Sequence, residues 1–128
     1  MSIHPHLDRP LRVALLVPSS NTVMENDLHR ALPKELFTVH TGRMFLTETT
    51  REQEIRMIED FAPKAASDLG TLEPDVLVFG CTSAGSLFGV EYDAQVCQKL
   101  GGLAQCEAIG VISTVAQALA ESNFKKIA

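Results

Sequence analysis

Four apolar runs, each followed by polar or small residues, recur along the chain. They are residues 11–17, 36–43, 75–80 and 107–112. The first, LRVALLV, is nearly continuous in apolar side chains, as is typical of a parallel strand that is covered on both faces. Apolar residues between the runs recur at helical spacing. This alternation predicts an α/β fold with a parallel sheet of four strands, flanked by helices on both faces. We expect the strand order 2-1-3-4.

Capping patterns and prolines predict where the first helices begin and end. Residues 22–25 and 50–53 have the spacing of capping boxes, which favours a helix start after each. Pro33 is expected to end the first helix. Pro63 is expected to kink or split the second helix because it lacks a backbone donor.

Glycines and serines predict the remaining helix ends. We expect Gly70 to cap the second helix, and Gly101 and Gly102 to close a third helix that runs from about Val90 to Leu100. Ser113 is expected to be the N-cap of the fourth helix, although a role as a ligand remains open. The final letters FKKIA resemble the opening of a fifth strand.

Length and composition indicate one small domain. With 128 residues, 45 % of them hydrophobic, the chain is long enough for a sizeable core. We assign residues 1–10 to a flexible lead and residues 11–128 to a single α/β domain.

Charge and motifs exclude several classes of function. The net charge is −5 with acidic and basic residues interspersed, which argues against a nucleic-acid partner. No apolar run has the length of a membrane span, and the first residues lack the apolar segment of a signal peptide, so a cytoplasmic protein with no membrane partner is expected. The sequence contains neither GxGxxG nor GxxxxGK[ST], so we expect no nucleotide cofactor.

Small polar residues follow three of the predicted strands, and parallel strand ends are where such sheets bind ligands. We expect them to converge on one rim, where hydroxyls, amides and helix starts hold one or two carboxylates. The candidate donors are Ser19, Ser20, Asn21, Thr82, Ser83, Ser113 and Thr114. Taken by themselves, Ser19 and Ser20 would be ordinary turn residues. Asn21 has a second interpretation of equal weight, as a helix cap.

Cys81 is the candidate nucleophile among three cysteines whose odd number and spacing predict neither a disulfide framework nor a zinc site. At a strand end beside amide donors its thiol would have a lowered pKa and serve as a nucleophile or proton carrier. A small buried hydrophobe is the equally weighted alternative. Cys97 falls on an apolar helix face and is expected in the core, and Cys106 is expected to be incidental.

Two motifs carry a resemblance to a known family. VPSSNTVMEND in the first βα turn and FGCTSAGS in the third resemble the maleate cis–trans isomerase and arylmalonate decarboxylase branch of the aspartate/glutamate racemase superfamily. STVAQALAES and KKIA are also similar to that branch. The resemblance extends over nearly the whole chain from about Arg12.

The resemblance implies two similar flavodoxin-like α/β domains that face each other, each with one catalytic cysteine and no cofactor or metal. In maleate isomerase-like members the first cysteine adds to the double bond, the central bond rotates, and elimination gives fumarate, while the second cysteine handles the proton. Cys81 matches the first cysteine, Asn21 a substrate-binding asparagine, and Thr82 and Ser83 positions that hold a carboxylate. Decarboxylase-like members have glycine at the Cys81 position, so this chain favours isomerase or racemase chemistry.

The second cysteine of the family has no match here, since neither Cys97 nor Cys106 lies at a strand end. The chain therefore resembles the N-terminal half of such an enzyme, with the second domain expected to begin near Ala128. We expect an apolar face that pairs with a second domain or with another copy in a homo-oligomer.

Three functions remain open from the sequence. The first is isomerisation of a small dicarboxylate of the maleate type. The second is a racemase or malonate decarboxylase reaction on the same fold. The third is a non-catalytic flavodoxin-like module that binds an anion or another protein.

Overall fold

The computed structural model describes residues 8–122, which contain one parallel four-stranded sheet. The strands are β1 (Leu11–Pro18), β2 (Phe37–Met44), β3 (Val76–Phe79) and β4 (Glu107–Gly110). Their order is β2-β1-β3-β4, and every neighbouring pair is parallel. The predicted fold class and strand order are confirmed. All four carboxyl ends consequently lie at the same edge of the sheet.

Six α-helices and one π-helical turn connect the described strands. The helices are α1 (Met24–Ala31), α2 (Arg51–Arg56), α3 (Ala62–Gly70), α4 (Thr82–Gly85), α5 (Val90–Ala104) and α6 (Val111–Glu121). The π-helical turn covers Met57–Phe61, between α2 and α3. The four-residue helix α4 is the element that the apolar pattern did not predict, because it is too short to show a periodicity.

The main core lies between one face of the sheet and the helices α3 and α5. Ala14 and Leu16 of β1 and Leu77 and Phe79 of β3 are fully buried there. The helices contribute Ala62, Ala65, Ala66, Leu69, Val96, Cys97, Leu100 and Ala104. Cys97 is therefore a core residue, as its position on an apolar helix face predicts.

The predicted starts of the first two helices have different outcomes. Thr50 caps α2, since its Oγ1 accepts a hydrogen bond of 3.3 Å from the Gln53 amide. The expected capping box at residues 22–25 is wrong. Helix α1 begins at Met24, and Asn21 provides the side-chain cap, because its Oδ1 accepts from the amides of Val23 and Met24 at 3.1 Å each.

Pro63, Gly101 and Gly102 were predicted to interrupt or end helices. Pro63 was predicted to kink or split its helix, and the split is wrong, because residues 51–70 are helical without a break. The helix instead changes type, since the π-helical turn ends at Phe61 and Pro63 lies in the first turn of α3. The prediction that Gly101 and Gly102 close α5 is wrong. The helix continues to Ala104 and ends at Gln105, which has φ +58°. Gly101 instead allows close packing, because a Cβ there would lie 2.7 Å from the Cys106 carbonyl oxygen.

Two further capping predictions are corrected by the structure. Gly70 is the last residue of α3, and Thr71 is the capping residue. A Cβ on Gly70 would lie 3.1 Å from the Ala104 Cα, so glycine serves the contact between α3 and α5. Ser113 is not an N-cap, because α6 already begins at Val111 with Gly110 as its cap.

Parts of the predicted chain ends lie outside the described residues. Residues 1–7 of the expected flexible lead and the expected fifth-strand opening at residues 124–128 are in this group. Within the lead, Arg9 forms an ion pair of 2.8 Å with Asp75. Among the helices of residues 8–122, none is both long and apolar enough to cross a membrane.

Candidate active site

A cavity of about 450 Å³ opens at the carboxyl ends of β1 and β3. Its walls come from the loops after these strands, the segment after β2 and the start of α6. The lining residues are Pro18, Ser20, Asn21, Met24, Leu46, Thr49, Gly80, Cys81, Thr82, Ser83 and Val111. Of the residues that the sequence singles out, the cavity brings together Ser20, Asn21, Cys81, Thr82 and Ser83. This is the edge at which open parallel sheets bind ligands.

The end of β3 fixes the position of Cys81. The Gly80 amide donates to the Leu16 carbonyl oxygen at 2.8 Å, which ties this strand end to β1. A Cβ on Gly80 would lie 2.5 Å from the Met24 Sδ, so glycine allows α1 to approach the strand end. Cys81 follows as the N-terminal cap residue of α4 and is 6 % exposed. Its Sγ lies 3.6 Å from the Ser83 Oγ.

The electrostatics of the thiol differ from the expectation. Burial raises the pKa of Cys81, whereas the sequence predicts a lowered pKa. Hydrogen bonds with the backbones of Ala84 and Ser83 and with the Ser83 hydroxyl act in the opposite direction, and the charge of Glu54 raises the pKa further. Removal from water therefore outweighs the amides of the four-residue helix α4. Such a thiol needs a proton acceptor before it becomes a nucleophile.

Asn21 combines the two roles that the sequence left open. Its Oδ1 accepts from two amides at the start of α1, so the side chain is a helix cap. Asn21 also lines the cavity. Because the oxygen is committed to the helix, the amide nitrogen is the atom of this side chain that suits a bound anion.

Arg43 holds the loop that carries Asn21. Its guanidinium donates to the carbonyl oxygens of Ser19 at 3.2 Å and Asn21 at 2.8 Å. It also pairs with Glu25 of α1 at 2.8 Å. Arg43 lies near the end of β2, next to β1 in the sheet, so the strand order makes this contact possible. Nothing in the local sequence of residues 18–21 indicates it.

Ser19 does not line the cavity, because its hydroxyl is used within the fold. Its Oγ accepts from the Leu46 amide at 3.0 Å and donates to the Leu46 carbonyl oxygen at 3.3 Å. The Ser19 amide also donates to the Met44 carbonyl oxygen at 2.6 Å. Ser19 thereby fastens the end of β1 to the segment after β2, which contributes Leu46 and Thr49 to the cavity.

Ser113 and Thr114 also lie outside this cavity, contrary to the expected convergence of all three polar strand ends. The Ser113 hydroxyl donates to the Asp93 Oδ2 at 2.6 Å, and the Thr114 hydroxyl donates to the Gly110 carbonyl oxygen at 2.8 Å. Because α6 begins at Val111, both residues lie at the start of this helix, where they line a separate groove beside β4. Val111, the residue directly after β4, lines the cavity instead.

Two curated maleate isomerases are similar to the chain in sequence. The chain is 30 % identical over 99 residues to the enzyme of Geobacillus stearothermophilus, a match that covers 72 % of this chain and 39 % of the relative. It is 30 % identical over 118 residues to the enzyme of Pseudomonas putida, which covers 87 % of this chain and 47 % of the relative. The chain spans less than half the length of these relatives. Over that length, the chain is similar in sequence to maleate isomerases.

Solved structures share the fold of this chain. A cysteine-to-alanine variant of the maleate isomerase Iso of Pseudomonas putida S16, solved with maleate, has a TM-score of 0.75 at 25 % identity and covers 86 % of this chain and 48 % of that one. A cysteine-to-serine variant of a Nocardia farcinica maleate cis–trans isomerase with a covalently bound succinylcysteine intermediate has a TM-score of 0.67 at 20 % identity, again over 86 % and 48 % of the chains.

An arylmalonate decarboxylase variant shares the fold, with a TM-score of 0.71 at 19 % identity over 87 % of this chain and 46 % of that one. Both branches named by the sequence resemblance are thus structural neighbours. No protein-family model matches the chain.

Besides Pro18 and Gly80, which belong to the predicted strand ends, the cavity wall contains four residues that the sequence did not single out: Met24, Leu46, Thr49 and Val111. Leu46 and Thr49 follow β2, and β2 lies directly beside β1 in the sheet. The predicted strand order already places the segment after β2 at the ligand-binding edge. The sequence could therefore have indicated Leu46 and Thr49 as cavity residues. Thr49 adds one more hydroxyl, and the other three provide an apolar wall.

Proposed function

We propose that this cavity is one half of the active site of a cofactor-independent isomerase that converts a small dicarboxylate of the maleate type to its fumarate-type isomer. Cys81 is the nucleophile in this proposal. The observation that carries it is a thiol in a cavity whose other polar side chains can all donate hydrogen bonds: Ser20, Asn21, Thr49, Thr82 and Ser83. The sequence similarity to two maleate isomerases supports the same chemistry.

The cavity suits a small anion with a short carbon skeleton. Neutral donors from hydroxyls and an amide bind a carboxylate without introducing a competing charge. Thr49 supplies an additional hydroxyl, and Met24, Leu46 and Val111 offer apolar contact to the carbons. A volume of about 450 Å³ leaves room for groups from a second half to close over the substrate.

The proposed reaction begins when the thiolate sulfur of Cys81 attacks one carbon of the double bond. A C–S bond forms, and the π electrons move to the other carbon, where the adjacent carboxylate delocalises them. The central bond is now single and rotates. The electrons then re-form the double bond, the C–S bond breaks, and the thiolate leaves. This sequence balances without a metal or redox cofactor, and the succinylcysteine seen in the Nocardia farcinica enzyme is the protonated form of such an adduct.

The proposal includes a partner for the exposed side of the domain at residues 11–128. Cys97 and Cys106 do not line the cavity, so a second proton-handling group comes from elsewhere. Helix α6 has no buried residue, and Ile109, Val115 and Leu119 are exposed. We assign this apolar surface to contact with a second domain or a second copy of the chain. A free catalytic thiol also suits a reducing compartment such as the cytoplasm.

The test is covalent trapping on the full-length protein. Incubation with maleate, an acid quench, and mass spectrometry of the intact protein and its peptides should place a succinyl adduct on Cys81. Cys81→Ser should lower fumarate formation by roughly 10⁴-fold. Cys97→Ser is the matched control, since it changes a core thiol outside the cavity and should keep the activity. Isomerisation by a folded Cys81→Ser protein would refute the proposal.

A substrate panel separates the remaining hypotheses. Maleate, aspartate, glutamate and an arylmalonate should be assayed side by side on the same preparation. Racemisation or decarboxylation without maleate turnover would assign the second hypothesis. Absence of turnover and of dicarboxylate binding would assign a non-catalytic module.

A further inference from the structure

We propose that the Ser83 hydroxyl donates its hydrogen to the sulfur of Cys81 when the thiolate forms, and so serves the nucleophile and not a substrate carboxylate. The role rests on the proposed function, because it concerns the same sulfur and the same reaction. The family resemblance implies the other role, in which Ser83 holds a carboxylate. The two roles compete for one hydroxyl and predict different kinetics.

The contact between the two side chains is direct. The Cys81 Sγ lies 3.6 Å from the Ser83 Oγ, which is within hydrogen-bond distance for a sulfur atom. Both residues line the cavity, and Cys81 is only 6 % exposed, so little of the thiol is open to water. The hydroxyl therefore replaces part of the hydration that a thiolate in solution would have.

The protonation state of the sulfur decides which atom donates. A thiol and a hydroxyl can each donate to the other, but a thiolate has no hydrogen, so the Ser83 hydroxyl must donate once the nucleophile exists. Hydrogen bonds to a charged partner are stronger than neutral ones, and the contact consequently favours the thiolate over the thiol. Burial raises the pKa of Cys81, and this hydroxyl acts in the opposite direction. No covalent bond changes at Ser83, and the thiol proton leaves to a base, which in solution is the buffer.

The donors of the cavity divide between the sulfur and the anion. A serine hydroxyl has a single hydrogen, so Ser83 cannot donate it fully to a thiolate and to a carboxylate at the same time. Ser20, Asn21, Thr49 and Thr82 also line the cavity and can donate to a carboxylate. Among these five side chains, the one that lies within hydrogen-bond distance of the sulfur is Ser83. We therefore assign Ser83 to the nucleophile and the other four to the anion.

Two buried carboxylates near the thiol are retained when the Ser83 hydroxyl is removed. Helix α4 carries no charged residue and packs against α2, α5 and α6. Glu54 on α2 is buried, and its charge adds to the effect of burial in raising the pKa of Cys81. Asp93 on α5 is also buried and accepts the hydroxyl of Ser113. A comparison of Ser83 variants with wild type holds both groups constant.

The other titratable groups of the surrounding helices are paired, neutral or exposed. Glu25 at the start of α1 pairs with Arg43 at 2.8 Å. Burial raises the pKa of Tyr92 and of Cys97 on α5, so both are neutral near pH 7. The remaining charged residues of α2, α5 and α6 are exposed to solvent: Arg51, Glu52, Arg56, Glu91, Lys99 and Glu121. A changed titration of the Cys81 thiol in a Ser83 variant can therefore be assigned to the hydroxyl.

The first experiment measures the rate at which iodoacetamide alkylates Cys81 in the full-length protein as a function of pH, with the site mapped by mass spectrometry. Ser83→Ala should slow alkylation about 10-fold near pH 7 and shift the rate profile to higher pH, so that the rates converge above the thiol pKa. Ser86→Ala is the matched control, because Ser86 is an exposed serine at the end of α4, and it should react like wild type. An unchanged or faster rate in Ser83→Ala, or an equal loss at every pH, overturns the proposal.

A second readout uses maleate and separates the two roles of the hydroxyl. Ser83→Ala should lower the limiting rate of Cys81 adduct formation at saturating maleate by a similar factor and leave the half-saturating concentration unchanged. A raised half-saturating concentration with an unchanged limiting rate would assign Ser83 to the carboxylate and refute the proposal. Wild-type protein that forms no adduct, together with the shifted alkylation profile, would refute the isomerase and retain the hydrogen bond to the thiolate.

A conservative variant checks that the hydroxyl itself is responsible. Ser83→Thr keeps a hydroxyl and should recover part of the rate in both assays. Failure of Ser83→Thr to exceed Ser83→Ala in either assay would count against the proposal. Circular dichroism verifies folding, and Ser83→Gly replaces the alanine variant if that variant unfolds.

Discussion

The cavity at the ends of β1 and β3 and the groove beside β4 contain similar chemical groups in different arrangements. Cys81 and Ser83 line the cavity, and Cys97 and Ser113 line the groove. A buried carboxylate lies outside each lining: Glu54 on α2, which packs against α4, and Asp93 on α5, which bonds Ser113. The groove is the larger space, about 750 Å³ against about 450 Å³. Neither volume nor residue type therefore distinguishes a reactive site.

The difference lies in the thiols and not in the carboxylates. Asp93 accepts the hydroxyl and the amide of Ser113 at 2.6 and 3.3 Å, so it fastens the first turn of α6 to α5. Burial and then the charge of Asp93 raise the pKa of Cys97 to about 12, which keeps that core thiol protonated. Asp93 Oδ1 and Glu54 Oε1 both lack a hydrogen-bond partner among the described residues, so an unpaired carboxylate oxygen does not distinguish the two regions. Cys81 lines a cavity that also holds several hydrogen-bond donors, whereas Cys97 is packed in the core.

The largest expected effect is on folding, at the carboxylate beside β4. A Cβ on Gly110 would overlap the Asp93 carboxylate, so Gly110→Ala should destabilise the fold by about 3 kcal/mol. Gly102→Ala is the control, because a Cβ there meets nothing within 4 Å, and it should stabilise α5 by about 0.5–1 kcal/mol. Urea unfolding of both variants measures the two values. Equal stabilities would mean that Asp93 does not occupy this tight position.

The next largest effect concerns Asn21, where one substitution should weaken anion binding and leave the stability of the fold unchanged. Asn21→Asp keeps the oxygen that caps α1 and replaces the amide donor with a negative charge. The free energy of unfolding should stay within about 0.5 kcal/mol of wild type, because the two residues cap equally well. Formation of the maleate adduct should slow by about 10- to 100-fold, as expected for a lost hydrogen bond to a charged group. A normal adduct rate would limit Asn21 to its capping role.

The smallest effect is expected for a substitution in the groove that lowers stability and leaves the reactions of Cys81 unchanged. Ser113→Ala removes the hydroxyl that donates to Asp93 and should cost about 1.5 kcal/mol of stability. Alkylation of Cys81 and its reaction with maleate should be unchanged, since Ser113 does not line the cavity. Thermal unfolding and the alkylation assay together provide the test. A slower reaction at Cys81 would contradict this and support the role of Ser113 in substrate binding that the sequence predicts.

The sequence was most informative where local patterns have a direct structural meaning. The apolar runs predicted the strands, their alternation with helices predicted a parallel sheet, and the polar strand ends predicted the edge that contains the cavity. Thr50 caps α2 as its chemistry predicts. The capping roles predicted for Gly70 and Gly101 were wrong, because both glycines serve close packing against a neighbouring segment.

By itself, the sequence determined the fold class and the placement of Cys81, Asn21, Thr82 and Ser83 at one edge, since these follow from periodicity and from the geometry of parallel strands. Only the tertiary structure decided that the hydroxyls of Ser19, Ser113 and Thr114 form internal hydrogen bonds. It also decided that burial outweighs nearby amides at the Cys81 thiol and that Glu54 of α2 is buried. These outcomes depend on contacts between segments far apart in the chain, such as α2 with α4, and local patterns carry no record of such contacts.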